Sequence, residues 1–301
     1  MNRIESVFKK LKNKRAAFIP FVVAGDPDLK TTETLVLKMA ECGADIIELG
    51  VPFSDPLADG PTIQTASQRA LKNGVNLKEI FRMTERLKGI STPLVLMTYF
   101  NPVFQYGLKS FAEDCHRNGI DGVIIPDLPP EEAGPWIQEA KPFKLGTIFL
   151  TTPTSSPERI KLASRYTRGF LYYVSVTGIT GTRGKLPDYL EPALKQIKEQ
   201  SRKPVAVGFG ISTPEQVKEA SRIADGVIVG SAIVKVIEEN LKEPDMVNRV
   251  GDFVSSLAGA LAGTCPVPPK RDRRGEGASR LERDREAPPC GRGASKLETF
   301  G

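Results

Sequence analysis

The chain has 301 residues, of which 40% are hydrophobic and 26% charged, an ordinary balance for a soluble globular protein. Its formal charge of +6 is not gathered on one segment. Residues 264–301 hold nine Lys/Arg against six Asp/Glu, and the rest of the chain supplies the other half, so nothing argues for a nucleic-acid-binding face. Four cysteines without a CxxC pair and a single histidine exclude a Cys/His zinc centre, and no apolar run approaches the roughly 18 residues of a membrane span. So few cysteines fit a reducing, cytoplasmic environment.

The first segment places Ile4, Val7, Phe8 and Leu11 at helical spacing, which predicts an amphipathic helix. A basic stretch followed by apolar residues also has some likeness to a signal peptide. The next run, residues 17–25, reads as a buried strand closed by the turn GDPD. Seven further apolar runs follow, at 45–50, 93–99, 122–128, 144–152, 169–176, 204–211 and 226–233. They are almost continuously apolar, as parallel strands covered by helices should be.

Helical patterns fill the gaps. Leu77, Ile80, Phe81, Thr84 and Leu87 form one stripe behind Asn76 and Glu79, which look like a capping box. Leu190, Ala193, Leu194 and Ile197 form another. Ser212 and Glu215, with Pro214 in the first turn, start a third. Val247, Val250, Val254, Leu257 and Leu261 mark a last long helix. Eight β-α units form either a closed (βα)8 barrel or a doubly wound open sheet. The turn after the first run, AGDPDLK, lacks the GxGxxG that an open nucleotide-binding sheet often carries, so the barrel is expected. It carries one extra N-terminal helix and spans residues 1–263. Residues 264–301 are rich in Pro, Gly, Arg and Glu and nearly devoid of aliphatics. They read as a disordered tail, natural or artefactual.

Barrel enzymes place their chemistry at the C-terminal ends of the strands. The richest such segment is ELGVPFSDPLADGPT, residues 48–62, with three acids, three prolines and two glycines. Alternation along the strand puts Ile46 and Glu48 on one face, Ile47 and Leu49 on the other. If the second pair meets the outer helices, Glu48 points into the barrel, loses water, and has its pKa raised. That suits a group exchanging protons near neutral pH. A structural glutamate at a strand end is the alternative. Asp55 and Asp59 follow, and here turn chemistry competes with function. Asp59 also has the position to cap a helix starting near Thr62. The pattern does not choose between these two aspartates. Cys115 and His116 are neighbours in a predicted helix, where adjacent side chains diverge by about 100°, which disfavours a thiolate nucleophile.

A second signal comes from glycine-rich segments after three consecutive strands: GITGTRGK (178–185), GFGIST (208–213) and VGSAI (229–233). Glycines let a dianion approach backbone N–H groups, and a helix N-terminus adds its dipole. Gly210, Gly230 and Ser231 are placed for a phosphate, with Gly181 able to close the site. Gly178, Gly181 and Gly184 surround Thr180, Thr182 and Arg183 without an apolar anchor, the composition of a mobile lid.

Taken together, PFVVAGDPD (20–28), ELGVPFSDPLADGPTIQ (48–64), GVIIPDLP (122–129), GITGTR (178–183), GFGIST (208–213) and GSAIVK (230–235) resemble the tryptophan synthase alpha chain family. The resemblance covers residues 1 to about 262, and the tail has no counterpart in it. It implies a carbon–carbon lyase of tryptophan biosynthesis that cleaves indole-3-glycerol phosphate reversibly to indole and glyceraldehyde 3-phosphate. It implies Glu48 and Asp59 as the catalytic acids, Phe21 in the indole pocket and Tyr172 near the substrate. Gly181, Gly210, Gly230 and Ser231 match the family's phosphate site. It implies no metal and no cofactor in this chain. The expected partner is a pyridoxal-phosphate β chain in an α2β2 tetramer, meeting the loop around residues 52–55. A free-standing lyase and a silent subunit that only activates a partner remain as alternatives. The mark expected of the second, loss of Glu48 or Asp59, is absent.

Overall fold

The computed structural model describes residues 1–174, 186–208 and 210–262. The predicted lid, residues 178–185 with Gly181, and the tail, residues 264–301, lie outside the described residues. Every residue of Ala17–Val23, Ile47–Gly50, Val205–Gly208 and Gly226–Val229 is buried. A strand with no wet face needs cover on both sides, which a parallel sheet ringed by helices supplies. Among the described residues nine strands form: β1 (Ala17–Val23), β2 (Ile47–Gly50), β3 (Leu94–Met97), β4 (Ile120–Ile124), β5 (Gly146–Ile148), β6 (Leu150–Thr151), β7 (Leu171–Val174), β8 (Val205–Gly208) and β9 (Gly226–Val229). They pair in parallel in the order β5-β4-β3-β2-β1-β9-β8-β7-β6.

The two ends of that order, β5 and β6, are consecutive pieces of one stretch, so the sheet closes on itself as an eight-stave barrel. Eight runs become nine strands because the stretch changes partner at Phe149. Gly146–Ile148 pair with β4, and Leu150–Thr151 pair with β7. Phe149 itself still accepts a bond from the Tyr172 N–H at 3.0 Å. The last run overshoots its strand for a simple reason. The chain stays apolar as it turns from β9 into the helix Ser231–Glu239, where Ile233 and Val234 are also buried, and apolarity alone does not mark that corner.

Two apolar clusters separate the inside of the barrel from its coat. The inner one gathers Ala17, Ile19, Ile46, Val95, Ile124, Ile148, Phe170, Ala206 and Ile228. Ile47 and Leu49 belong to the outer one, with the helices. The alternation predicted for the second strand is therefore present.

The N-terminal segment is a helix, Arg3–Leu11, with a capping box between Asn2 and Glu5. Its Ile4, Phe8 and Leu11 join the inner cluster, so it closes one end of the barrel. Each such burial contributes on the order of 1.5–3 kcal/mol. Ile4 comes so close to β4 and β5 that a Cβ at Gly122 would lie 2.7 Å from it. The adjoining apolar run is β1, at the centre of the fold. Asn76 caps the helix Leu77–Arg86 through the Lys78 and Glu79 N–H groups. The predicted cap at Ser212 moves by one residue. Thr213 caps Pro214–Ser221, because Ser212 gives its N–H and hydroxyl to the Gln216 side chain. Val250, Val254 and Leu257 are buried in the helix Met246–Gly259, as expected. No described helix is long and apolar enough to cross a membrane.

Candidate active site

Glu48 sits in β2 between Phe21 of β1 and Val95 of β3. Val95 lies in the inner cluster, so the register that places Phe21 and Val95 beside it also turns Glu48 inward. Its side chain is 1% exposed, and neither carboxyl oxygen has a hydrogen-bond partner among the described residues. An ionised carboxylate without water or partners is costly, so the group holds its proton instead. Burial, and secondarily the charge of Asp59, push Glu48 up to about 8.

The geometry separates the two aspartates that the pattern left equal. Asp55 is exposed and accepts a hydrogen bond from its neighbour Ser54 at 2.6 Å. Asp59 is partly buried and close enough to Glu48 for its charge to raise the Glu48 carboxyl. Nor does Asp59 cap a helix. The helix Pro61–Lys72 starts behind Gly60 with no side-chain cap, and Asp59 offers only its backbone carbonyl, to Gln64 Nε2 at 2.8 Å. Burial raises the Asp59 carboxyl above its ordinary value, and the Tyr99 hydroxyl beside it pulls in the opposite direction.

Tyr172, on β7, brings a third group to the same place. Burial, then the charges of Glu48 and Asp59, hold its phenol well above the usual range, so it stays neutral. Its hydroxyl lies against β8, where a Cβ on Gly208 would come within 2.6 Å of it. Phe21 is 5% exposed, and its ring fills the space beside Gly50 and Gly230. A narrow pocket opens here, lined by Phe21, Gly50, Asp59, Ile63, Met97 and Tyr99. An aromatic wall, an aliphatic wall and a carboxyl suit a flat ring with one N–H.

The phosphate candidates divide. The helix Pro214–Ser221 has its first turn occupied by the Thr213 side chain. The helix Ser231–Glu239 has no side-chain cap behind Gly230, so its leading N–H groups and dipole face outward for an anion. Ser231 is exposed at that end. Gly210 has a φ of +44°, a left-handed backbone that disfavours other residues. Gly181 lies outside the described residues. Asp26, 1% exposed, takes both oxygens to Arg69 at 2.8 and 3.0 Å, and Arg69 also reaches Glu238 at 2.9 Å. These pairs tie the turn after β1, the helix behind Asp59 and the helix behind Gly230 together.

Tyr99 escaped the sequence reading. It stands two residues past the end of β3, at the end of the barrel where the chemistry is expected, but outside the in-strand alternation that marked Glu48. Cys115 is fully buried, and burial pushes its thiol up, the opposite of an activated thiolate. Among the described residues no group of three or more His, Cys, Asp or Glu could hold a metal ion.

Fold and site define an enzyme of the parallel α/β-barrel class, with paired carboxyls at the C-terminal ends of its strands. The family model described as tryptophan synthase alpha chain matches residues 8–260. The tryptophan synthase alpha chain of Geobacter sulfurreducens is 49% identical over 263 residues, covering 87% of this chain and 99% of its own. That of a Thermoanaerobacter species is 47% identical over 263 residues, covering 87% of this chain and all of its own. The crystal structure of the Legionella pneumophila alpha chain superposes with a TM-score of 0.80 at 39% identity, covering 87% of this chain and 97% of that one. This chain belongs to the tryptophan synthase alpha chain family.

Proposed function

We propose that the chain is the lyase subunit of a tryptophan synthase, cleaving indole-3-glycerol phosphate reversibly to indole and glyceraldehyde 3-phosphate through Glu48 and Asp59. The observation that carries the assignment of Glu48 is its buried carboxyl on the inner face of β2, without a hydrogen-bond partner among the described residues and raised to about 8. At neutral pH such a group is a proton donor.

The bond to be broken joins indole C3 to a carbon bearing a hydroxyl. Glu48 gives its proton to C3, and positive charge develops toward the ring nitrogen. Asp59, ionised, lies against the indole N–H and stabilises that charge. The C3–carbon bond then breaks with its electron pair passing to the ring. The hydroxyl proton goes to the Glu48 carboxylate as the carbonyl of glyceraldehyde 3-phosphate forms. Glu48 ends protonated, as it began, so the cycle closes without another reagent. Phe21 packs on the indole, and Tyr172 offers a neutral hydroxyl beside both acids. Gly210, Gly230, Ser231 and Gly181 receive the phosphate, for which the uncapped helix Ser231–Glu239 is the physical support.

The partner in this reading is a β chain that consumes the indole and carries the pyridoxal phosphate, in an α2β2 assembly; this chain is assigned no cofactor of its own. Support for a docking face comes from two large apolar side chains at the same end of the barrel. Leu57 is 87% exposed after β2 and Phe104 61% exposed after β3. Cytoplasmic residence suits the free, reduced Cys42 and Cys115. The test is indole release from indole-3-glycerol phosphate, with and without a β chain. Release that rises with the β chain is expected; no release in either condition refutes the lyase assignment. Full activity without the β chain would mark a free-standing lyase.

A further inference from the structure

The loop that carries Asp59 runs from Val51 to Gly60, and half of it is exposed. Ser54, Asp55, Leu57, Ala58 and Gly60 all face solvent. A carboxyl on such a loop needs something rigid to aim it. That something is Tyr99. It is 4% exposed, and it stands two residues past β3, at the start of the helix Phe100–Tyr106. The next residue is pinned as well, since Phe100 N–H donates to Asp127 at 2.8 Å. Two contacts join Tyr99 to the loop. The Phe53 ring lies 5.2 Å from the Tyr99 ring, centroid to centroid. The Ala58 N–H donates to the Tyr99 hydroxyl at 2.9 Å.

That second contact fixes the direction of the phenol. Its oxygen is already accepting, so its one proton is free to be donated. The residue after Ala58 is Asp59, which lines the same narrow pocket as Tyr99, and the hydroxyl favours the Asp59 anion against the effect of burial.

We propose that Tyr99 is a positioning residue for the lyase reaction: by accepting from Ala58 and packing on Phe53 it holds the loop so that the Asp59 carboxylate is aimed into the indole pocket, with the Tyr99 proton available to it. The inference rests on Asp59 having the role given above. Among the described residues the titratable groups around Asp59 are Glu48 on β2, Tyr172 on β7 and Tyr99 itself, with Asp127 behind Tyr99. Both carboxylates oppose a second negative charge, so among the described residues Tyr99 is the group that favours the anion. Its own phenol, pushed up to about 12 chiefly by burial, keeps its proton throughout the working range.

The test uses the full chain with its β chain. Tyr99→Phe removes one oxygen and keeps the ring packing. It should lower kcat about tenfold, the cost of a hydrogen bond to a charged group, with the melting temperature little changed. It should also move the acid limb of the kcat/KM profile to higher pH, because Asp59 then protonates more readily. Fluorotyrosine at position 99, a stronger donor, should move that limb the other way and needs no change of shape. Carbon-13 NMR of labelled aspartate, with the Asp59 signal assigned from Asp59→Asn, reads the same titration without turnover. Concerted shifts in NMR and in the acid limb support the proposal. An unmoved Asp59 titration in both Tyr99 proteins, or a shifted titration with unchanged kcat, overturns it while leaving Asp59 in place. Near-normal turnover in Asp59→Asn overturns the role of Asp59 and this inference with it.

Discussion

Glu48→Gln replaces the buried acid with a neutral side chain of the same shape, and its effect on stability follows from the proton that Glu48 retains. An ordinary glutamate titrates near 4.5, and Glu48 in the fold near about 8. Between those values the folded chain binds a proton that the unfolded chain has lost. Stability therefore falls as pH rises from 4.5 to about 8, and levels off above. At about 1.36 kcal/mol per pH, the deficit is about 1 kcal/mol at pH 5, about 3 kcal/mol at pH 7 and about 5 kcal/mol at pH 9. Glutamine carries no such deficit, so the substituted protein should be the more stable one, by a margin that widens with pH. Urea midpoints of both proteins at about pH 5, 7 and 9 measure it, with the difference between proteins as the readout. A margin that does not change with pH, or a variant less stable throughout, would show that the carboxyl has a partner and is not held neutral by burial.

Turnover should follow a bell in pH. The alkaline limb falls near pH 8 as Glu48 loses the proton it must give, and the acid limb lies above the usual aspartate range as Asp59 takes one up; a kcat/KM profile with isotopic controls for the chemical step reads both. Gly208→Ala would put a methyl carbon 2.6 Å from the Tyr172 hydroxyl, displacing that ring, and should cost on the order of 10²-fold in kcat with the fold intact. Removing residues 264–301 should leave melting temperature and indole release unchanged; a large loss of either would show that the segment belongs to the catalytic domain.

Much of this was legible before any coordinates, and for definite reasons. Continuous apolar runs at regular spacing announced parallel strands, and period two in one strand sent Glu48 inward and Ile47 and Leu49 outward. Asp59 was not legible in the same way. Its orientation depends on the path of an exposed loop and on Tyr99, 40 residues further on, and a linear pattern carries no record of such a contact. Tyr99 was missed because a tyrosine at the end of an apolar run looks like core. The shift of one cap from Ser212 to Thr213 turned on the Gln216 side chain, which competes for Ser212. The break at Phe149 turned on barrel closure, a property of the whole ring and of no single strand.

Glu48, as the acid that protonates indole C3, is the centre of the mechanism. The direct measurement is indole formation from indole-3-glycerol phosphate by the Glu48→Gln protein, with the β chain present and the fold verified by melting temperature. The account predicts a folded protein that binds substrate and releases no indole above background. Turnover close to that of the unsubstituted chain would contradict it.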